Sequence, residues 1–420
     1  MNCTIHRRFF VAELPNRPYS VVVTATRAQL PSVSVKTPKA GDAFSLESKQ
    51  ALDRLREAIR RVLAAVPSDS TRPKDLGKAF DLDYALAWQV HALAHQSGPL
   101  TSARTVPKSG AMERFVLAAA KRTTAELAAG VRSAYEGFEQ VVADLAEDRD
   151  TFDAMLTLQH PQDGAGLRRI RRAAHRANAA AWGVTCRCKT HMTVFRIRPT
   201  GEFDSMTILG YVGLQRLHAG AMVSTLASTR AWGKQTPPGS QRGEHVCELI
   251  EEGCSKPMLR IEGGPGPDGT PGEYLVMDGL GKRSAATVYW RNLNLAVPGV
   301  SSEPPHNVTS TCRIPAERLL LDFLLPRGWV NDETVRAWIT PETGHYVTPD
   351  PATPHRLPFE GGGQYLGRSL DALHTSASPR YAELMRAEIA RMGWQDTEFD
   401  IFRCEVEYPL LHSAANLSVR

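Results

Sequence analysis

The chain has no apolar run near the eighteen or so residues that would cross a bilayer as a helix. Its opening, MNCTIHRRFF, is too polar for the apolar centre of a signal peptide. A cytoplasmic protein with no membrane partner is the expectation. Cysteine is sparse and scattered, at Cys3, Cys186, Cys188, Cys247, Cys254, Cys312 and Cys404. A small secreted scaffold would carry a dense, even set, so reduced thiols are expected. Enzyme signatures are missing too: there is no Gly-x-Ser-x-Gly elbow, no His-Glu-x-x-His and no kinase motif set. No catalytic residue and no cofactor is assigned. GGPGPDGTPG (263–272) and GGGQYLG (361–367) lack the Lys-Ser/Thr ending of a P-loop and the strand-to-helix setting of a dinucleotide fingerprint. The first reads as a hairpin tip.

What is present is an ordinary globular composition, 42% apolar and 23% charged over 420 residues, enough for two or three domains with real cores. Residues 1–45 mix Pro, Ser, Thr and Val with no helical period, which predicts a loosely ordered arm. Residues 46–160 then turn helical. Leu46, Leu52, Leu55, Ile59, Val62, Leu63 and Val66 share one face, behind Ser45 as the expected N-cap. Further on, Leu127, Val131, Tyr135, Phe138, Val142, Leu145, Phe152 and Leu156 recur at helical spacing in what reads as one long piece.

Residues 161–182 form a basic connector helix, GLRRIRRAAHRANAAAW at its centre. Arg168, Arg169, Arg172, His175 and Arg176 are expected on its polar side, and Ile170, Ala173, Ala174, Ala177 and Ala181 on its packing side. From Gln159 to Pro199 the net charge is +8, whereas the whole chain carries +5. Nucleic-acid phosphate, an anionic membrane and an acidic surface of the same chain could each meet such a face. The mostly Ala apolar side argues against the membrane. The acids Glu139, Asp144, Glu147, Asp148, Asp150 and Asp153 just upstream favour pairing within the chain.

Residues 183–420 change to short β-rich runs between Gly/Pro turns, interrupted by one helix framed by Ser378, Pro379 and Gly393. In the last run, Phe402, Cys404, Val406 and Tyr408 alternate with Arg403, Glu405 and Glu407, as in a strand with one buried face. The fold class expected is α+β: an all-helical N-terminal domain, a helical connector and a C-terminal α+β domain with a mainly antiparallel sheet.

One stretch in the helical part points to a function. LGKAFDLDYALAWQVHALAHQ, Leu76 to Gln96, holds two short apolar-faced segments hinged on Asp-Leu-Asp, and its second segment contains no Lys or Arg. On a helical wheel Leu86, Ala87, Val90, Leu93 and Ala94 face inward, while Tyr84, Ala85, Trp88, Gln89, His91, Ala92 and His95 face out. With the helices around it and the Pro/Gly-bearing loop SGPLTSARTVPKSG after it, the stretch resembles the winged-helix or helix-turn-helix domains of bacterial transcriptional regulators. It departs from them at Gly77, where they usually have Ala, and at Asp81, where they usually have Gly. The resemblance covers some 70 of the 420 residues.

It implies that Tyr84, Ala85, Trp88 and Gln89 read bases, that Lys74, Lys78, Arg104 and Lys108 touch phosphates, and that the protein acts as a homodimer on paired half-sites. Arg168, Arg169, Arg172 and Arg176 are further candidates for phosphate contact. Thr71 to Gln96 has no net charge, so the phosphate contacts must come largely from outside it. Metal is not expected: Cys186, Cys188, His191, His245, Cys247 and Cys254 are zinc-type ligands, but their spacings fit no common zinc module.

The expectation is a DNA-binding regulator whose C-terminal domain senses an unknown small-molecule effector or makes an interaction surface. A non-enzymatic interaction or scaffold protein is the alternative. An enzyme with an unrecognised site in the C-terminal domain comes third.

Overall fold

A computed structural model describes residues 40–66, 72–95, 100–159, 164–221, 223–224, 245–255, 259–265, 271–297, 306–329, 335–342, 356–395 and 398–419. The expected N-terminal arm therefore lies, up to residue 39, outside the described residues. The chain divides into two compact units between Ile170 and Arg171. That division falls inside the basic helix.

The helical unit contains α1 (Ala40–Ala64), α2 (Pro73–Phe80), α3 (Tyr84–His95), α4 (Ser109–Arg122), α5 (Ala125–Leu145) and α6 (Arg149–Gln159). Its core joins Leu52, Leu55, Ile59 and Val62 of α1 to Leu86 and Val90 of α3, Phe115 of α4, Phe138 of α5 and Phe152 of α6. Two boundaries differ from the sequence expectation. Ser45 is not a cap, because α1 continues back through it. Phe44 is buried and its ring packs 5.6 Å from Phe152, so a tertiary contact supports a turn that the local sequence does not mark. Leu46, expected on the core face, is exposed. The long helical piece breaks in two at Ala146, whose extended backbone closes α5, and the Asp148 carboxylate accepts the Thr151 N–H at 2.7 Å to start α6.

The sheet unit is built on a seven-stranded sheet in the order β11-β12-β9-β1-β2-β7-β4. Its strands are β1 (Val184–Ile197), β2 (Phe203–Arg216), β4 (His245–Leu249), β7 (Ala286–Val297), β9 (Ala316–Pro326), β11 (Gly363–Gly367) and β12 (Phe399–Glu407). Every neighbour pair is antiparallel except β1 with β9. GGGQYLG is thus an edge strand and no phosphate loop.

One face of this sheet carries α8 (Tyr381–Arg391) on Met192, Ile208, Leu320 and Ile401. A second sheet of β8 (His306–Cys312), β10 (Val335–Pro341) and β13 (Ser413–Val419) covers the other face through Phe195, Leu321, Phe323 and Phe402. β3 (Val223–Ser224), β5 (Leu259–Pro265) and β6 (Pro271–Met277) form a third sheet. The β5–β6 register brings Pro265 opposite Pro271, the hairpin read from GGPGPDGTPG.

The helix cap at the start of α8 is displaced. The helix begins at Tyr381, and the Ser378 hydroxyl instead bonds the Tyr289 hydroxyl at 2.8 Å. Gly393 does adopt the left-handed conformation expected of it, with φ +67°.

β1 is buried on both faces, unlike a half-solvated strand. Lys189, His191 and Thr193 share the face turned toward the second sheet, where the Lys189 ammonium donates to the Thr311 carbonyl. His191 Nε2 stands 3.2 Å from Thr193 Oγ1, while its Nδ1 is buried with no hydrogen-bond partner among the described residues. Burial, reinforced by the Lys189 charge, pushes its imidazole down to about 3 from 6.5. The folded value lies below the unfolded one, so the stabilisation is complete above pH 6.5 and is lost as the pH falls toward 3. His191→Leu is expected to reduce the drop in unfolding free energy between pH 7 and pH 4, measured by urea titration at both values.

Candidate nucleic-acid interface

α2 and α3 meet through a turn that rests on a few specific atoms. Asp81 takes the left-handed conformation, φ 56° and ψ 51°, so its short polar side chain serves where the resembled domains use glycine. The following Leu82 N–H donates to the Gly77 carbonyl at 2.9 Å. A Cβ on Gly77 would stand 3.1 Å from the Leu82 carbonyl oxygen and 3.4 Å from the Ala87 Cβ. Glycine is there because the two helices cross closely at that point.

Asp83 then caps α3. Its Oδ1 accepts the Leu86 N–H at 2.9 Å, and its Oδ2 pairs with Arg114 of α4 at 2.9 Å. The Leu86 N–H first, and Arg114 second among the favourable partners, hold its carboxyl below the usual range. Asp83→Ala is expected to lower the thermal unfolding midpoint of the helical unit at pH 7. Because the folded value is depressed, the difference from wild type should shrink as the pH falls through that value, which thermal scans at pH 7 and pH 3 would measure.

α3 presents the face expected of a reading helix in most positions. Leu86, Ala87, Val90, Leu93 and Ala94 are buried, while Tyr84 is 66% and Trp88 45% exposed; Ala85 is exposed and Gln89 half-buried. Ala92 departs from the expectation, being buried. Arg60 of α1 reaches the Ala94 carbonyl at 2.7 Å, and the neighbouring elements enclose a wider arc of this end than an isolated wheel allows for. Tyr84, Trp88, His91 and His95 fall within about 60° of one another on the wheel. They make a stripe of four rings on a helix without Lys, Arg, Asp or Glu.

The surrounding cations divide into two groups. Lys74, Lys78 and Lys108 are exposed, with no ion pair among the described residues. Arg104 is partly buried and donates to the Asp153 carbonyl at 3.1 Å. It ties down a 3-10 helix, Leu100–Thr105, that occupies the described part of the loop where a wing would stand. Ala103 and Val106 are tucked into the core there, and the Ala103 carbonyl takes a hydrogen bond from Arg149. No wing strand occurs among the described residues of this loop.

The basic helix, α7 (Gly164–Trp182), turns a different side inward from the one expected. Leu167, Arg171, His175 and Ala179 are buried, whereas Ala173, Ala177 and Ala181 are exposed. Partners remote in sequence decide this. Arg171 donates to the Pro358 carbonyl and lies over the Phe359 ring, and His175 Nε2 is 3.1 Å from Thr185 Oγ1. Long stems can be buried when their polar heads are met in this way.

Arg168, Arg169, Arg172 and Arg176 are exposed, with Arg172 over the Tyr408 ring. Four of the six acids expected to pair with this helix have other partners. Glu139 and Asp153 pair with Arg149, Asp144 accepts from Gln140, and Asp148 caps α6.

The described zinc-type residues form no metal-ligand group. Cys186 and Cys188 are buried thiols, and burial pushes the latter up to about 12. His191 projects from the opposite face of β1. The Cys254 thiol donates to the Ile250 carbonyl at 3.1 Å, and the side chains of His245 and Cys247 lie outside the described residues. Among the described residues no group of three or more His, Cys, Asp or Glu could hold a metal ion.

Sequence reasoning missed Arg114, which pairs with Asp83, and it missed the adjoining His91 and His95 rings, 4.4 Å apart between centroids. The spacing of four residues was the available signal for the pair.

No helix among the described residues is long and apolar enough to cross a membrane. No family model matches the chain, and no curated protein matches it. Among solved structures it is similar to a "putative protease" from Parabacteroides distasonis, 9% identical, over 57% of this chain and 40% of that one. The chain thus spans less than half the length of that structure, and the TM-score of 0.21 is too low for the likeness to carry an argument about fold or activity.

Proposed function

We propose that the helical unit binds DNA through α3, with Tyr84, Ala85, Trp88 and Gln89 toward the bases and Lys74, Lys78 and Lys108 toward the phosphates. The observation that carries this is the exposed, ring-rich outer face of α3 directly after a three-residue turn whose first residue, Asp81, is left-handed, with exposed lysines on α2 and just before α4. Arg104 drops out of the phosphate set, since its guanidinium holds the 3-10 helix to α6. Arg168, Arg169, Arg172 and Arg176 are exposed and stay in it. A homodimer would double a weak single-site affinity, with the sheet unit as the part that responds to an effector or partner.

The test is a binding titration of the full chain with random duplex DNA at rising salt. Binding at about 50 mM salt that weakens steeply as salt rises is the expected result. Lys74→Ala with Lys78→Ala should lower the logarithmic salt slope by about 1 per lysine. Trp88→Ala should weaken binding while leaving stability within about 0.5 kcal/mol, as for most exposed positions. No binding at about 50 mM salt rejects the proposal.

One observation favours a second reading. α3 has no Lys, Arg, Asp or Glu, and an aromatic stripe of this kind also suits a protein partner. In that case Trp88→Ala disrupts a complex that salt leaves intact.

A further inference from the structure

We infer that His91 and His95 form a two-histidine site for a late first-row divalent cation, with Zn²⁺ as the reference ion, on the outer face of α3. The site needs nothing from the DNA reading and stands apart from it. Residues four apart on a helix project side by side, the spacing by which two histidines chelate one metal in helical zinc sites. Here the two rings are already neighbours, with centroids 4.4 Å apart and planes at 43°. His95 is exposed and His91 half-buried, so an ion and its remaining water ligands have room on the solvent side.

The electrostatics are workable. Metal ligation needs neutral imidazole. His95 is the last residue of α3, where the helix dipole favours a cation. Arg60 is the opposing charge, but its Nε is committed to the Ala94 carbonyl and Glu57 lies 3.9 Å from its Nη1. With imidazole as the only protein donor, the site should prefer Zn²⁺, Ni²⁺ and above all Cu²⁺ over Mg²⁺ or Ca²⁺.

The experiment is calorimetric titration of the reduced full-length chain with Zn²⁺, beside His91→Gln and His95→Gln. The wild-type chain should take up one more equivalent than either variant, whatever other sites bind. His95→Gln changes an exposed residue, so it carries the test even if His91→Gln folds poorly. A second readout is Cu²⁺ quenching of tryptophan emission. Trp88 stands about one turn from His91, so a quenched component should vanish both in Trp88→Phe and in His95→Gln. Equal Zn²⁺ stoichiometry in wild type and His95→Gln, or quenching that survives in both of those variants, overturns the inference.

Discussion

Asp322→Asn is expected to lower the unfolding free energy of the sheet unit by about 3–5 kcal/mol, the cost of leaving a buried charge without its partner. Asp322 of β9 and Arg403 of β12 stand directly opposite in register, and both are buried. The guanidinium makes a two-pronged contact, Nε to Oδ1 at 2.7 Å and Nη2 to Oδ2 at 3.0 Å, and Nη2 also reaches the Leu373 carbonyl at 3.1 Å.

Burial works against the Arg403 charge, but the Asp322 carboxylate overrides it and raises its pKa further. Beside them the buried Tyr381 phenol is held neutral, first by burial and then by the Asp322 charge. An amide at 322 keeps the shape but removes the charge and one of the two acceptor oxygens, so the Arg403 charge is left with neutral partners only.

Replacing both partners, Asp322→Leu with Arg403→Met, should recover most of the loss, since an apolar pair of similar volume forgoes the desolvation penalty. Urea unfolding of the two single variants and the double variant gives the coupling energy. A single-variant loss under about 1 kcal/mol would show that solvent reaches the pair, because exposed ion pairs are worth that little.

Gly210→Ala should destabilise by about 1–3 kcal/mol or more, the range for forcing atoms into a filled core. Gly210 lies mid-strand in β2, between β1 and β7. An added Cβ would come within 2.3 Å of the Tyr289 ring and 2.6 Å of Thr190 Oγ1. Tyr289 cannot easily swing aside, because it is buried in the core under α8 and its hydroxyl is bonded to Ser378 at 2.8 Å. The substitution therefore strains the contact that seats the turn before α8 on the sheet. A lowered thermal midpoint, together with loss of near-ultraviolet signal from Tyr289, is the measurable outcome. An unchanged midpoint would mean that the ring has free room to move.

Much of the architecture was legible in the sequence because it depends on local chemistry. The change of hydrophobic period from helical to alternating near residue 183 reports the boundary between helices and strands, since buried faces recur every 3.6 or every 2 residues whatever they pack against. The α2–α3 turn was readable because Asp tolerates a left-handed φ, and the inward set on α3 because five apolar residues recur at helical spacing. Gly393 and the pairing of the strands on either side of residues 266–270 followed from backbone preferences of the same kind.

The candidate site was legible in its shape and only partly in its charges. Tyr84, Ala85 and Trp88 are where the wheel put them, while Arg104, expected at phosphates, also donates to a carbonyl 49 residues away.

What the tertiary structure alone decided is which charged groups are buried and with whom. Alternation read Arg403 as solvent-facing, and the amphipathic pattern read the alanines of α7 as its packing side. Arg403 is buried because Asp322, 81 residues earlier in the chain, meets it. Arg171 is buried because the Pro358 carbonyl, 187 residues later, accepts a hydrogen bond from its guanidinium. A local hydrophobic pattern counts a charge as outward because an unpaired charge would be costly inside, and only the folded chain supplies the partner that removes that cost.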